Sequence, residues 1–263
     1  MDLQLKNKVV LITASSKGIG KATAELFLNE GCKVIICSSN SDNLKSATEE
    51  LKSITGSKPL SGICDLNKPE DLKNIVKIAR EEFGRIDILV NNCGGPVPGM
   101  FDDLDDSKWQ HAVDQVLMSV VRLTREVLPY MKENNWGRII NITSLSVKQP
   151  VDNLMLSNSL RSAVTAFVKT LSNEVGENNI TINNVAPGYT LTSRLHELAE
   201  IKAKNSGVTK DEIFNEMASI VPMKRLADPK EVAAAIVFLA SEQAGYITGQ
   251  TIPVDGGVIK STY

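Results

Sequence analysis

The chain has 263 residues, with 29 Lys+Arg against 31 Asp+Glu and a formal net charge of -2. Hydrophobic residues make up 42% and charged residues 23%, the balance of a globular protein and not of a disordered one. Near-neutral charge argues against a nucleic-acid or anionic-membrane binder, no apolar run is long enough to span a bilayer, and the N-terminus lacks the apolar stretch and cleavage site of a secretory leader. The reading is a soluble, cytoplasmic protein whose length suits one domain over residues 1–263.

Residues 8–13 (KVVLIT) read as the first strand, followed by a turn, Thr13-Ala14-Ser15-Ser16-Lys17-Gly18-Ile19-Gly20, that opens a helical run to Asn29. Residues 33–37 (KVIIC) form the second strand and 59–64 a weaker third. Asn67 with Glu70, and Pro69 between them, marks a helix start. Residues 86–90 (IDILV) are the next strand. The acidic stretch 102–106 reads as a short solvated loop. Ser107 with Gln110 is a capping-box candidate for a long helix whose stripe is Trp109, Val113, Val116, Val120, Leu123 and Val127. Strand 138–143 (RIINIT) precedes a second long helix with Leu160, Val164, Phe167 and Leu171 on one face. Strand 179–185 (NITINNV) follows.

Residues 192–227 are rich in Glu, Lys and Ala. Their amphipathic spacing (Leu195, Leu198, Ile201; Ile213, Phe214, Met217) fits two short helices over a small pocket, the second opened by Thr209 with Glu212. Asp228-Pro229-Lys230-Glu231 supplies an N-cap, an N1 proline and an N3 glutamate for a last helix, and Thr251–Val254 a last strand. Continuous β-branched runs alternating with amphipathic helices imply an α/β fold: a doubly wound parallel sheet with helices on both faces. The cysteines Cys32, Cys37, Cys64 and Cys93 have no metal-ligand spacing, and no metal is expected.

The glycine-rich turn lies between a strand and a helix. Small residues there let backbone amides approach a pyrophosphate, and the helix start favours its charge. From this point the chain resembles the short-chain dehydrogenase/reductase family almost end to end. Ala14 stands where the family's turn has its first glycine, and Gly18 and Gly20 match. Cys64-Asp65-Leu66, Asn91-Asn92-Cys93-Gly94, Ile142-Thr143-Ser144, Pro187-Gly188 and Val254-Asp255-Gly256-Gly257 follow in family order.

The resemblance implies a Rossmann-type fold, a nicotinamide cofactor across the C-terminal strand ends, a small-molecule substrate under a lid at 192–227, and a homotetramer pairing helices 107–131 and 154–175. Thr13, Ser15, Ser16, Lys17, Gly18, Ile19 and Gly20 would hold the phosphates, Asp65 and Leu66 the adenine, and Asn91, Cys93 and Gly94 the central path. Pro187, Gly188, Thr190 and Thr192 would hold the nicotinamide end. Ser38 and Ser39 end the second strand with no carboxylate to bind a ribose 2′-hydroxyl, and with Lys17 they favour NADP(H) over NAD(H). Lys17 as a plain surface lysine, with both cofactors binding, is the other reading.

The family's catalytic tetrad is an asparagine, a serine, a tyrosine and a lysine. Ser144 matches the serine, whereas Ser157, Arg161 and Val116 fall in the places of the tyrosine, lysine and asparagine. A positioned general acid is worth about 10²–10⁴ in rate, and neither a serine hydroxyl nor an arginine replaces a phenol directly. Arg161 can still stabilise an oxyanion or clasp an anion, and the smaller Ser157 leaves room for a water. Tyr189 and Lys148 are the substitute acids the sequence offers, while His111, His196 and Arg122 read as incidental. Two functions stay open: an oxidoreductase with altered proton delivery, resembling 3-oxoacyl-carrier-protein reductases or sugar dehydrogenases, or a cofactor-binding regulatory or sensing protein that has lost turnover.

Overall fold

A computed structural model describes residues 1–262. Seven parallel strands form one sheet in the order β3-β2-β1-β4-β5-β6-β7. They are β1 (Val9–Ile12), β2 (Lys33–Ser38), β3 (Leu60–Ile63), β4 (Ile88–Asn91), β5 (Gly137–Ile142), β6 (Ile180–Pro187) and β7 (Thr251–Val254). The helices are α1 (Gly18–Asn29), α2 (Ser41–Thr55), α3 (Pro69–Phe83), α4 (Asp106–Ala112), α5 (Ser119–Glu133), α6 (Met155–Val175), α7 (Ser193–Ser206), α8 (Lys210–Ile220) and α9 (Pro229–Leu239).

Successive residues of a central strand enter different cores. Val10 and Ile12 pack with Phe27, Leu44 and Ile236 under α1, α2 and α9, whereas Val9 and Leu11 pack with Ile75, Leu123 and Val164 under α3, α5 and α6. Both faces are therefore dry, which is why these strands read as unbroken apolar runs. Burying one such aliphatic side chain contributes about 1.5–3 kcal/mol. The chain runs outward from β1 to β3, then crosses back to β4 on the other side of β1. The loops after β1 and β4 thus diverge at the C-terminal strand ends and leave a crevice between them.

Sequence and structure part company at a few helix starts. Asp105, not Ser107, caps α4: its carboxylate accepts from Lys108 N at 3.0 Å, and Ser107 donates to it. The acidic stretch is accordingly a short 3₁₀ turn (Phe101–Asp103) plus a helix cap, with its four carboxylates exposed to solvent as expected. Asn67 caps nothing. Lys68 occupies the cap position before Pro69, and Asn67 donates to Asp65. The long helix expected from Ser107 onward is broken by a π-helical turn, Val113–Met118, between α4 and α5. Its apolar stripe survives the break, with Val116, Val120, Leu123 and Val127 all buried. The two capping boxes at Thr209/Glu212 and Asp228/Glu231 form as read. In the paired helices α7 and α8, Leu195, Ile213 and Met217 are buried together, but Ile201 is 43% exposed and faces away from that contact.

Candidate active site

The turn after β1 is fixed by its neighbours. Thr13 Oγ1 donates to the Asn92 carbonyl at 2.7 Å and accepts from Asn92 N at 2.8 Å, and Asn92 Nδ2 donates to the Ala14 carbonyl at 2.9 Å. Ser15 Oγ donates to the Ile12 carbonyl at 2.8 Å and accepts from Cys37 N at 3.0 Å, tying β1 to β2. The Thr13 and Ser15 side chains thus hold the loop together, and any part they take in ligand binding runs through the backbone they position. Ala14 has φ 44°, in the left-handed region where glycine is the unstrained choice. A Cβ on Gly20 would lie 2.8 Å from the Ala14 carbonyl oxygen and 2.9 Å from Ser15 Cα, so only glycine lets α1 press this closely on the turn.

α1 starts without a side-chain cap and has no acidic residue in its first turn. Its first N–H groups are therefore open to an anion, with exposed Lys17 beside them. Ser16 Oγ donates to Ser38 Oγ at 3.1 Å, which places two hydroxyls together at the end of β2, and Ser39 is exposed next to them. Past β3, Asp65 accepts the backbone N–H and the side-chain amide of Asn67, both at 3.0 Å, and these bonds hold its carboxyl below the usual carboxylate range. Leu66 beside it is buried.

Asparagines cross the sheet beneath the site. Asn91 Nδ2 donates to Asn141 Oδ1 at 2.8 Å and Asn141 Nδ2 to the Asn183 carbonyl at 3.3 Å, linking β4, β5 and β6. Above them opens a cleft of about 340 Å³. It gathers Lys17, Gly18 and Ile19 from the first turn, Cys93 and Gly94 after β4, and Ser144 after β5. α6 adds Ser157 and Arg161, Pro187 ends β6, and Gly188, Thr190 and Thr192 follow it. Ser38, Ser39, Asp65 and Leu66 lie outside this lining, at the ends of β2 and β3. Thr13 and Asn91 instead line a much smaller void behind it, which also touches Val116 and Arg161.

Ser144 is half-buried, and its Oγ accepts from Ser146 N at 3.1 Å. Ser157 and Arg161 stand four residues apart on α6, hence on one face of the helix, and both are buried. Arg161 Nη1 donates to the Ile142 and Thr143 carbonyls at 2.8 and 3.1 Å, and Nη2 lies 3.7 Å from Cys93 Sγ. The guanidinium thus clamps the end of β5, immediately before Ser144. Most of its fork is used on the protein itself, which narrows the oxyanion role open to it from the sequence alone.

Of the substitute acids, Tyr189 lines the cleft, and burial pushes its phenol pKa up. Lys148 is not among the lining residues, and its N–H closes the turn after Ser144 by bonding the Leu145 carbonyl. His196 packs edge-on against Phe214 at 5.0 Å between centroids, and Arg122 pairs with Asp114 at 2.9 Å. Neither these two nor His111 reaches the cleft.

Sequence reasoning missed Arg194. From the first turn of α7, its Nη2 donates to the Pro96 carbonyl at 2.7 Å, and its guanidinium lies over Gly95, where a Cβ would come within 2.9 Å of Nε. A lone arginine in a segment rich in charge carries no periodic signal, and its partner is 98 residues away.

Small residues and open amides along the cleft, with the paired Ser16/Ser38 hydroxyls beyond its lining at the end of β2, fit a dinucleotide, and no carboxylate among the described residues lining the cleft would repel its phosphates. Residues 13–259 match the family model described as enoyl-(acyl carrier protein) reductase. The chain is 31% identical to the NADPH-dependent reductase BacG of Bacillus subtilis, over 98% of this chain and 100% of that one. Among solved structures, L-sorbose reductase from Gluconobacter frateurii complexed with NADPH and L-sorbose superposes with a TM-score of 0.94 at 36% identity, covering 99% and 100% of the two chains. A 7α-hydroxysteroid dehydrogenase complexed with NADH and 7-oxo glycochenodeoxycholic acid gives 0.88 at 30% identity, covering 100% and 98%.

Proposed function

The chain belongs to the short-chain dehydrogenase/reductase family of oxidoreductases, and on that premise we propose that it is an NADP(H)-dependent reductase of a small carbonyl compound with altered proton delivery. The observation that carries this reading is the meeting of Ser144, Ser157 and Arg161 on one cleft with the glycine-rich turn. The bound nicotinamide would supply the hydride. The open amides at the start of α1, with Lys17 and the Ser16/Ser38 hydroxyls, would hold the phosphates, including a 2′-phosphate. Asp65 and Leu66 would flank the adenine, Asn91, Cys93 and Gly94 the middle of the cofactor, and Pro187, Gly188, Thr190 and Thr192 its far end.

Ser144 would donate a hydrogen bond to the substrate oxygen. Arg161 is a positioning residue in this reading: by gripping the Ile142 and Thr143 carbonyls it fixes the strand end that carries Ser144. The proton would come from a water admitted beside Ser157, whose short side chain leaves that space. The protein is proposed to act in the cytoplasm as a homotetramer pairing α5 and α6. A second reading, a cofactor-binding regulatory or sensing protein without turnover, is favoured by one observation: the Arg161 fork is spent on backbone carbonyls.

The test is NADPH fluorescence titration together with a panel of simple ketones, run on the wild type and on the double variant Ser157→Tyr/Arg161→Lys. The wild type is expected to bind NADPH and turn over slowly, with the double variant at least about 10-fold faster, the low end of what a positioned acid contributes. Wild-type turnover equal to or above the variant's would overturn altered proton delivery. Absence of NADPH binding would overturn the whole assignment, and binding without any turnover by either protein would favour the sensor.

A further inference from the structure

We propose that the substrate is a small oxo acid and that Arg194 holds its carboxylate. This rests on the reductase reading above and goes on to name the substrate class. Among the described residues lining the cleft, three side chains are basic (Lys17, Arg161 and Arg194) and none is acidic. Lys17 sits at the start of α1, where the phosphates are assigned. Arg161 is bound to the end of β5 and to Cys93. Arg194 is the cation left for the substrate.

Its setting fits an anion. The Pro96 carbonyl takes one of its five N–H groups and orients the fork, and the side chain keeps 33% of its surface exposed. It stands in the first turn of α7, which has no acidic residue, so the helix N-terminus adds to its positive field where a basic side chain would otherwise cost stability. Glu197 lies 3.6 Å from Nη1 and offsets part of that charge. The remaining field suits a monoanionic, planar carboxylate better than a phosphate dianion. Leu145, Val151, Leu154, Leu195 and Leu198 line the same cleft, so the rest of the ligand is apolar, and the cleft must also admit the cofactor's reactive end.

The experiment is calorimetry on the NADPH-loaded protein with 4-methyl-2-oxopentanoate, its methyl ester, and a phosphate monoester of 4-methylpentanol. The wild type is expected to bind the acid at least about 10-fold more tightly than either of the others. Arg194→Gln should lose that preference while its NADPH affinity stays unchanged, and Arg194→Lys should keep part of it, because an ammonium has charge without the fork. The proposal is overturned by equal affinity for acid and ester, by tighter binding of the phosphate, by no binding of any of the three, or by an acid affinity that Arg194→Gln leaves intact. Failure of the reductase reading looks different: either NADPH does not bind, or it binds and neither protein of the ketone assay turns over.

Discussion

Arg161 reaches from the second turn of α6 to donate to the Ile142 carbonyl at 2.8 Å, joining a helix to a strand end 19 residues earlier in the chain. The same nitrogen serves the Thr143 carbonyl, so two buried acceptors depend on one guanidinium. Hydrogen bonds to a charged group contribute about 1.5–3 kcal/mol each. Arg161→Met should therefore destabilise the protein by about 3 kcal/mol. Arg161→Lys, which can satisfy one acceptor, should cost about half as much. Urea unfolding of both variants beside the wild type checks the order, and equal stability of all three would refute the clamp.

The paired hydroxyls at the end of β2 make cofactor choice testable at one position. The Ser38 hydroxyl lies 3.1 Å from Ser16 Oγ, and a carboxylate in its place would repel a 2′-phosphate while accepting from a ribose hydroxyl. Ser38→Asp should lower NADPH affinity relative to NADH by roughly 10–100-fold, or about 1.4–2.8 kcal/mol. Parallel fluorescence titrations measure the ratio, and an unchanged ratio would place the 2′-phosphate elsewhere.

Ala14 carries a methyl group at a left-handed φ of 44°. That conformation costs an L-residue about 1–2 kcal/mol, and the extra freedom of an unfolded glycine returns about 0.4–1 kcal/mol of it. Ala14→Gly should therefore raise stability by about 0.5–1 kcal/mol. A thermal melt showing no gain, or a loss, would mean that the methyl contributes packing that outweighs the strain.

Cys32 is buried, with Sγ donating to the Leu5 carbonyl at 3.2 Å, and burial pushes its pKa up from 9.0 to about 12. The folded thiol holds its proton where the unfolded one gives it up. Below pH 9 the two states bind the same proton and stability is unaffected; above it the unfolded state gains, and stability falls until about pH 12. Cys32→Ala should flatten the stability loss measured between pH 9 and 11, and an identical alkaline slope in both proteins would contradict this.

How much of this was legible in the residues depends on range. The β-branched runs gave every strand to within a residue or two, and reciprocal caps such as Thr209 with Glu212 marked helix starts, because both rest on neighbours in sequence. Asp105 displaced Ser107 as a cap because an ionised carboxylate accepts a backbone N–H better than a hydroxyl does. The π-turn at Val113–Met118 left no trace in a stripe whose spacing suits either helix. The glycine-rich turn, Ser144 and the Ser157–Arg161 pair were readable as residues that share one cleft. What Arg161 bonds, and that Arg194 lines the same cleft, were not, since both contacts are made across the fold.

The return of the chain from β3 to β4 has a consequence for assembly. The anion-ready amides come from the first strand's turn, whereas Ser144, Ser157 and Thr192 arrive from strands and helices on the opposite flank of the sheet. A fragment ending before β4 would own half a binding crevice, and so would its complement. Nucleotide capture is thus a reporter of completed folding: during refolding its signal should appear only after both flanks have docked, later than the helical signal of either one.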